Sequence, residues 1–151
     1  MEPKPRVTPA EFEVFSREHL PFAHVYGAVI TEIGHGTAKI RVPFRDEFLR
    51  PGGTLNGPLM MAAADLGMYA AVLGAIGLEA LAVTTQLSIN FLRKPAPATL
   101  LGEARILKLG KKLAVGEVEL FTEGSPEMVA HVVCTYALPS RPSTKEPHGD
   151  V

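Results

Sequence analysis

The sequence predicts an α+β domain: an antiparallel β-sheet wrapped around one long central helix, with an extra helix near the N-terminus. Three observations predict it. Residues 57–76 are nearly all Ala, Leu, Met, Val or Gly, so a helix there is apolar all round and must be enclosed rather than laid on a surface. The flanking segments include runs that alternate apolar and polar residues, the period of strands with two different faces. The order reads helix, two strands, the long helix, then four strands, with no internal repeat.

In chain order, residues 1–7 are Pro-rich and charged and are expected to be flexible. Thr8-Pro9-Ala10-Glu11 has the form of a capping box with proline at the first helical position. The helix it opens is predicted to run to about Leu20, anchored by Phe12, Phe15 and Leu20, until Pro21 ends or bends it. Residues 29–33 and 38–42 are β-rich runs joined by Gly34-His35-Gly36, a hairpin. A polar link then leads into Arg50-Pro-Gly-Gly-Thr-Leu-Asn-Gly-Pro58. There Asn56 supplies a capping oxygen for the central helix, and Pro58 a fixed φ in its first turn. Gly77 is a plausible C-cap.

Beyond it the period changes from helical to alternating. In residues 83–93, Val83, Leu87, Ile89 and Phe91 form one series and Thr84, Gln86, Ser88 and Asn90 the other, a strand with two different faces. Pro95-Ala96-Pro97 breaks it. Residues 100–109 and 113–122 form a second hairpin across Gly110-Lys111, and 128–138 is the last strand. Residues 139–151 are Pro, Ser and charge, a flexible tail. A single domain over residues 8–138 follows. A sheet curled around one apolar helix in this order is the hotdog fold.

Composition excludes several classes. A chain of 151 residues is about one domain, and 46% hydrophobic with 21% charged residues is globular. A formal net charge of -1 argues against nucleic acid and anionic membranes as partners. Twenty apolar residues are long enough for a bilayer, but Asp65 sits mid-run, Gly and Ala dilute it, and no Lys or Arg brackets it. The start of the sequence has no apolar signal-peptide core, so the cytoplasm is the expected compartment. The single cysteine, Cys134, can form neither an internal disulfide nor a cysteine metal cluster, and alternates with Val132 and Tyr136 as a buried inert thiol would. His19, His24, His35, His131 and His148 show no zinc-ligand spacing, so no metal is expected, and the Gly-x-Ser-x-Gly elbow of serine hydrolases is absent. Met60, Met61 and Met68 read as adaptable core.

Asp65 is the one charge in the apolar run. A buried carboxylate is too costly to keep without a partner or a task. Either it bonds a neighbouring backbone or it does chemistry, and the residues alone leave both open.

Three segments bear a family likeness: Gly53-Thr54-Leu55-Asn56-Gly57-Pro58 with Asp65 downstream, Thr84-Thr85-Gln86-Leu87-Ser88-Ile89-Asn90-Phe91-Leu92-Arg93-Lys94-Pro95-Ala96, and Leu107-Lys108-Leu109-Gly110-Lys111-Lys112-Leu113-Ala114-Val115. Together they resemble the PaaI-like (phenylacetate-pathway) branch of the hotdog acyl-CoA thioesterases, hydrolases of the thioester bond of an acyl- or aryl-CoA. The resemblance implies a general base or nucleophile at Asp65 and a backbone N–H at Gly57 that polarises the thioester carbonyl. It implies a hydroxyl at Thr84 that helps place the attacking water, and coenzyme A contacts near Lys108, with Lys111 and Lys112 in the same turn. No cofactor is implied beyond the coenzyme A of the substrate. Three positions depart from the family pattern: Asn56 replaces the usual His, Pro58 the second Gly, and Arg50 an Asn or His that holds water. Asn56 still offers a hydrogen-bonding side chain. A permanent cation at Arg50 cannot accept a hydrogen bond from water, though it can bind a carboxylate or phosphate.

The residue chemistry is compatible with this reading. Thioester hydrolysis needs an activated water and a stabilised oxyanion. Apolar neighbours desolvate a carboxylate and make it a stronger base, and a helix N-terminus offers unpaired N–H groups. Hotdog hydratases pair the helical Asp with a His a few residues on, and here no His lies between Asp65 and His131. The alternative from another class is a non-catalytic protein that binds acyl-CoA as a sensor. Helix geometry adds one constraint. Nine residues separate Asn56 from Asp65, which at ~100° per residue and ~1.5 Å rise puts them on opposite sides and roughly 13 Å apart. One helix cannot easily present both groups to one bond, which predicts a homodimer with shared sites, paired again into a tetramer as in the relatives.

Overall fold

The computed structural model describes residues 3–140. The central helix, α3 (Gly57–Ile76), runs as expected between its two capping residues. The Asn56 side chain accepts a hydrogen bond from the Leu59 N–H at 2.8 Å, satisfying one of the donors orphaned in a first turn. Gly77, at φ 96°, closes the other end and sends its N–H to the Leu73 carbonyl at 2.8 Å. The helix is long and apolar enough to cross a membrane, but 83% of its apolar window is buried inside the protein. Each fully covered side chain such as Leu73 contributes about 1.5–3 kcal/mol of burial energy.

The wrapping is done by six antiparallel strands: β1 (Val29–Gly34), β2 (Thr37–Val42), β5 (Val83–Phe91), β6 (Leu100–Leu109), β7 (Leu113–Thr122) and β8 (Ala130–Ala137). They lie in the order β1-β2-β6-β7-β8-β5. Two short strands, β3 (Leu49–Arg50) and β4 (Thr54–Leu55), form a separate ribbon before α3. The sheet closes tightly on the helix. A Cβ at Gly74 would collide with the Gly34 carbonyl oxygen, and Gly67 lies against Ile40 and Ala104. Alternation is clear in β7, where Ala114, Gly116, Val118 and Leu120 are buried and the residues between them are half-covered. On the outer face, Arg105 and His131 both bind Glu117.

At the N-terminus the structure adds to and corrects the expectation. Helix α1 (Pro9–His19) starts with the Thr8 hydroxyl accepting from the Glu11 N–H at 3.1 Å. Pro21 does more than end it: a second short helix, α2 (Pro21–Val25), begins there. Residues 1–7 were expected to be flexible, yet Val7 is 1% exposed and the Arg6 N–H donates to the Gly74 carbonyl at 2.8 Å. The apolar side chain of Val7 has a core to enter, so the ordered domain begins before residue 8. Most of the expected flexible tail, 139–151, lies outside the described residues.

Strand β5 departs from its sequence pattern in one respect. Simple alternation puts Thr84 on one face with Gln86, Ser88 and Asn90. The register shifts between Thr84 and Gln86, leaving Thr85 as the extra residue of a β-bulge. Thr84 therefore pairs with the inward-facing Tyr136, while Gln86, Ser88 and Asn90 pair with the outward-facing Thr135, Val133 and His131. The bulge reverses the face of everything before it. Thr84 joins Leu87, Ile89 and Phe91 on the helix side, and Val83, pairing with Ala137, moves to the outside.

Candidate active site

Asp65 occupies the middle of α3, where the start of β5 and the end of β8 meet it. The Thr84 hydroxyl donates to its Oδ1 at 2.5 Å. The Tyr136 hydroxyl donates to the same Oδ1 at 2.7 Å and lies 2.8 Å from the Asp65 backbone oxygen. Thr84 and Tyr136 are a cross-strand pair, so one rung of the sheet delivers both donors. The bulge at Thr85 makes this possible; without it Thr84 would face away.

A cavity of about 510 Å³ opens beside this carboxylate. Leu20, Phe22 and Tyr26, from α1–α2 and the residues that follow, line it together with Leu66, Tyr69 and Val83. The N-terminal helices are tied down by several contacts. Ser16 Oγ lies 3.1 Å from His24 Nε2, joining α1 to α2, and the Tyr26 hydroxyl donates to the Ala62 carbonyl at 3.3 Å. Phe12 and Phe15 pack on Tyr69 with ring centroids 6.1 and 6.4 Å away. All three tyrosines of the chain, Tyr26, Tyr69 and Tyr136, line the cavity. Burial, and then the Asp65 charge, push the Tyr136 and Tyr26 hydroxyls far above the usual phenol range. Burial, and then Glu79, push Tyr69 up to about 12. All three are neutral donors at physiological pH. Cys134 is fully buried as expected, its thiol pushed up to about 12 by burial and then by Asp65, which leaves it unreactive.

Gly57 sits in a different cavity, of about 470 Å³, at the other end of β5. As the first residue of α3 it carries an N–H without an intrahelical acceptor. Phe91 lies over it: a Cβ at position 57 would stand 3.2 Å from the ring. Gly52 and Gly53, with φ 97° and 75°, make the left-handed turn that brings Arg50 opposite Thr54 on this rim. Arg93 and Lys94 complete a cationic border.

The expected site residues thus fall into four places. Asp65 and Thr84 are together, and the Thr84 hydroxyl is spent on Asp65 itself. Gly57 and Arg50 are together in the second cavity. Asn56 stands between α3 and the residues before it, its amide engaged at both ends: Oδ1 caps the helix and Nδ2 donates to the Phe48 carbonyl at 2.8 Å. Lys108, Lys111 and Lys112 are exposed around the β6–β7 turn and line neither cavity. Among the described residues, no group of three or more His, Cys, Asp or Glu is placed to hold a metal ion.

Sequence reading missed Tyr136, Arg93 and Lys94. A signal existed for the first. A tyrosine in register with a buried Cys134 and Val132 must find a partner for its hydroxyl, and Asp65 was the nearest unexplained acceptor in the core.

Comparison with known proteins identifies the family. The sequence profile of the thioesterase superfamily matches residues 52–129, from the glycine turn through β7. A provisionally named esterase of Saccharolobus solfataricus is 32% identical over 108 residues, 71% of this chain and 75% of that one. Among solved structures, a provisionally named thioesterase from a Silicibacter species superposes with a TM-score of 0.81 at 41% identity, covering 90% of this chain and 94% of that one. A variant of the phenylacetic acid degradation protein PaaI from Thermus thermophilus superposes with a TM-score of 0.69 at 25% identity, covering 79% and 99%. With a hotdog sheet around α3 and relatives of this kind, the chain belongs to the thioesterase superfamily, as a PaaI-like hotdog member.

Proposed function

We propose that the protein hydrolyses the thioester bond of an acyl- or aryl-CoA, with Asp65 as general base or nucleophile and the Gly57 N–H as oxyanion donor. One observation carries this reading: a carboxylate held by two hydroxyls at the wall of an apolar cavity, in a chain of the thioesterase superfamily. The aromatic cavity suits the acyl group. The Arg50, Arg93 and Lys94 border suits the phosphates of coenzyme A.

The two halves of this chemistry sit at opposite ends of one strand. Thr84, bonded to Asp65, and Phe91, over Gly57, are seven residues apart on β5, roughly 20 Å. Reacting atoms must come within about 3.5 Å, so one chain does not complete the site. Strand β5 is an edge strand of nine residues with no charge in it, and its two ends, Val83 and Phe91, are 54% and 51% exposed. Such an edge is a template for pairing. Two β5 strands paired antiparallel about a two-fold axis bring Asp65 of one protomer to Gly57 of its partner, giving a homodimer with two shared sites. Pairing of dimers into a tetramer, as the resemblance implies, is the next level of assembly.

The test is thiol release from a panel of acyl-CoAs. Turnover by the native protein, lost in a folded Asp65→Asn variant, is the expected result; near-native turnover by that variant overturns the assignment. The second reading, an acyl-CoA sensor, is favoured by Arg50, which cannot hold a nucleophilic water as an acceptor. Binding and thermal stabilisation by acyl-CoA with no thiol release anywhere in the panel would select it.

A further inference from the structure

We propose that Tyr136 is a positioning residue for the Asp65 carboxylate, and that Oδ2, not Oδ1, is the oxygen that takes the proton or attacks. The inference rests on the reading of Asp65 as base or nucleophile. Both donors converge on Oδ1, Thr84 at 2.5 Å and Tyr136 at 2.7 Å. Oδ1 is thereby committed, and the opposite oxygen is the one left to act.

Tyr136 does something Thr84 cannot. Its hydroxyl sits within 2.8 Å of both the backbone oxygen and Oδ1 of the same residue. Bridging these two atoms closes a ring through Cα, Cβ and Cγ of Asp65, which restricts both side-chain torsions at once. The bridge is itself immobile. Tyr136 is 2% exposed, is paired on β8 with Ala114 of β7 and Thr84 of β5, and packs its ring on Tyr69 with centroids 6.0 Å apart. Free rotation would spread an aspartate over several rotamers, and productive geometry tolerates errors of only a few tenths of an ångström.

The experiment compares Tyr136→Phe with the native protein in the thiol-release assay. Phenylalanine keeps the ring in the core and removes only the hydroxyl. The titratable groups facing Asp65 are Tyr69 on its own helix, Tyr26 and His19 from the N-terminal segment, and Cys134 and Tyr136 on β8. Removing a donor from the charged form raises a carboxylate's pKa. The expected result is a kcat lowered about tenfold, KM within about twofold, and an acid limb of the pH–kcat profile displaced upward. A purely structural role would lower the melting temperature and the active fraction and leave the limb where it was. Should Tyr136→Phe not fold, 3-fluorotyrosine placed at position 136 keeps the shape and strengthens the donor, and the acid limb must then move down.

Unchanged kcat and an unmoved acid limb in a folded Tyr136→Phe protein, with Asp65→Asn inactive, overturn this inference alone. Activity retained in Asp65→Asn removes the reading beneath it as well. The two failures are distinguishable in one set of assays.

Discussion

The two ends of β5 are built from different chemistry. At its start the cavity is roofed by two extra helices, lined with tyrosine rings, and holds one carboxylate whose Oδ1 is already bonded. At its end the cavity is an open rim of Arg50, Arg93 and Lys94 around the first turn of α3, where Asn56 caps the helix and Phe91 lies over Gly57. The first end is largely apolar with its carboxylate held in place, and on the proposed reading it takes the acyl group. The second is cationic, suited to attract phosphate from a distance. On the proposed reading neither end is a thioesterase site alone: recognition and catalysis are divided along the strand, and pairing of two protomers joins them.

The strongest way to break this comparison is to disable each end separately. Asp65→Asn is expected to lower kcat between about 100- and 10,000-fold with the fold unchanged. Gly57→Pro removes the donor N–H at a helix position proline tolerates, and is expected to cost about 100- to 1,000-fold. Mixed and allowed to reassociate, the two inactive variants should recover roughly a quarter of native activity, because half the dimers are mixed and each has one intact site. A mixture that stays inactive after proven subunit exchange sinks the shared site.

A smaller effect sharpens the roles of the charges. Arg50→Ala is expected to raise KM about five- to tenfold at low salt with kcat nearly constant, the pattern of lost uniform binding. Arg93→Ala and Lys94→Ala should follow it. Lys108→Ala, Lys111→Ala and Lys112→Ala, around a turn that borders neither cavity, should move KM by no more than about twofold each. Equal KM values for the rim variants and the native protein would leave the rim as surface charge.

Smaller still are the stability effects at the two helix starts. Asn56→Ala removes a cap and a second hydrogen bond to Phe48. It should cost about 1–2 kcal/mol, or roughly 2–8 °C in melting temperature. Thr8→Ala, at the exposed start of α1, should cost about half as much. Away from both cavities, Glu117 is a control. Its bonds to His131 and Arg105 hold its carboxyl below the ordinary range. A folded value below the unfolded one means the stabilisation is complete above about pH 4.5 and is lost as pH falls through the folded value. Glu117→Gln should therefore flatten the acid dependence of stability and leave thioester hydrolysis at neutral pH unchanged. A changed kcat there would tie the outer face of the sheet to the site.

Much of this was legible in the chain. A run between Asn56 and Gly77 that is apolar all round but for Asp65 reads as an enclosed helix, and caps act within three residues of the groups they satisfy. The second hairpin is local in the same sense, since its two arms are adjacent in sequence and carry their own period. Asp65 stood out because one charge in such a run needs a reason.

Which groups meet Asp65, only the tertiary structure decided. Thr84 reaches Asp65 across 19 residues and Tyr136 across 71, and no local pattern connects them. The face that Thr84 presents depends on one unpaired residue, Thr85, and a bulge exists only relative to the strand beside it. Likewise Arg50 joins Arg93 and Lys94 only because the glycine turn folds back on the end of β5. Periodicity and capping are properties of neighbours in the chain, so a sequence can state them. Register between distant strands is a balance among all the side chains that pack, and it is set only when the whole sheet closes on the helix.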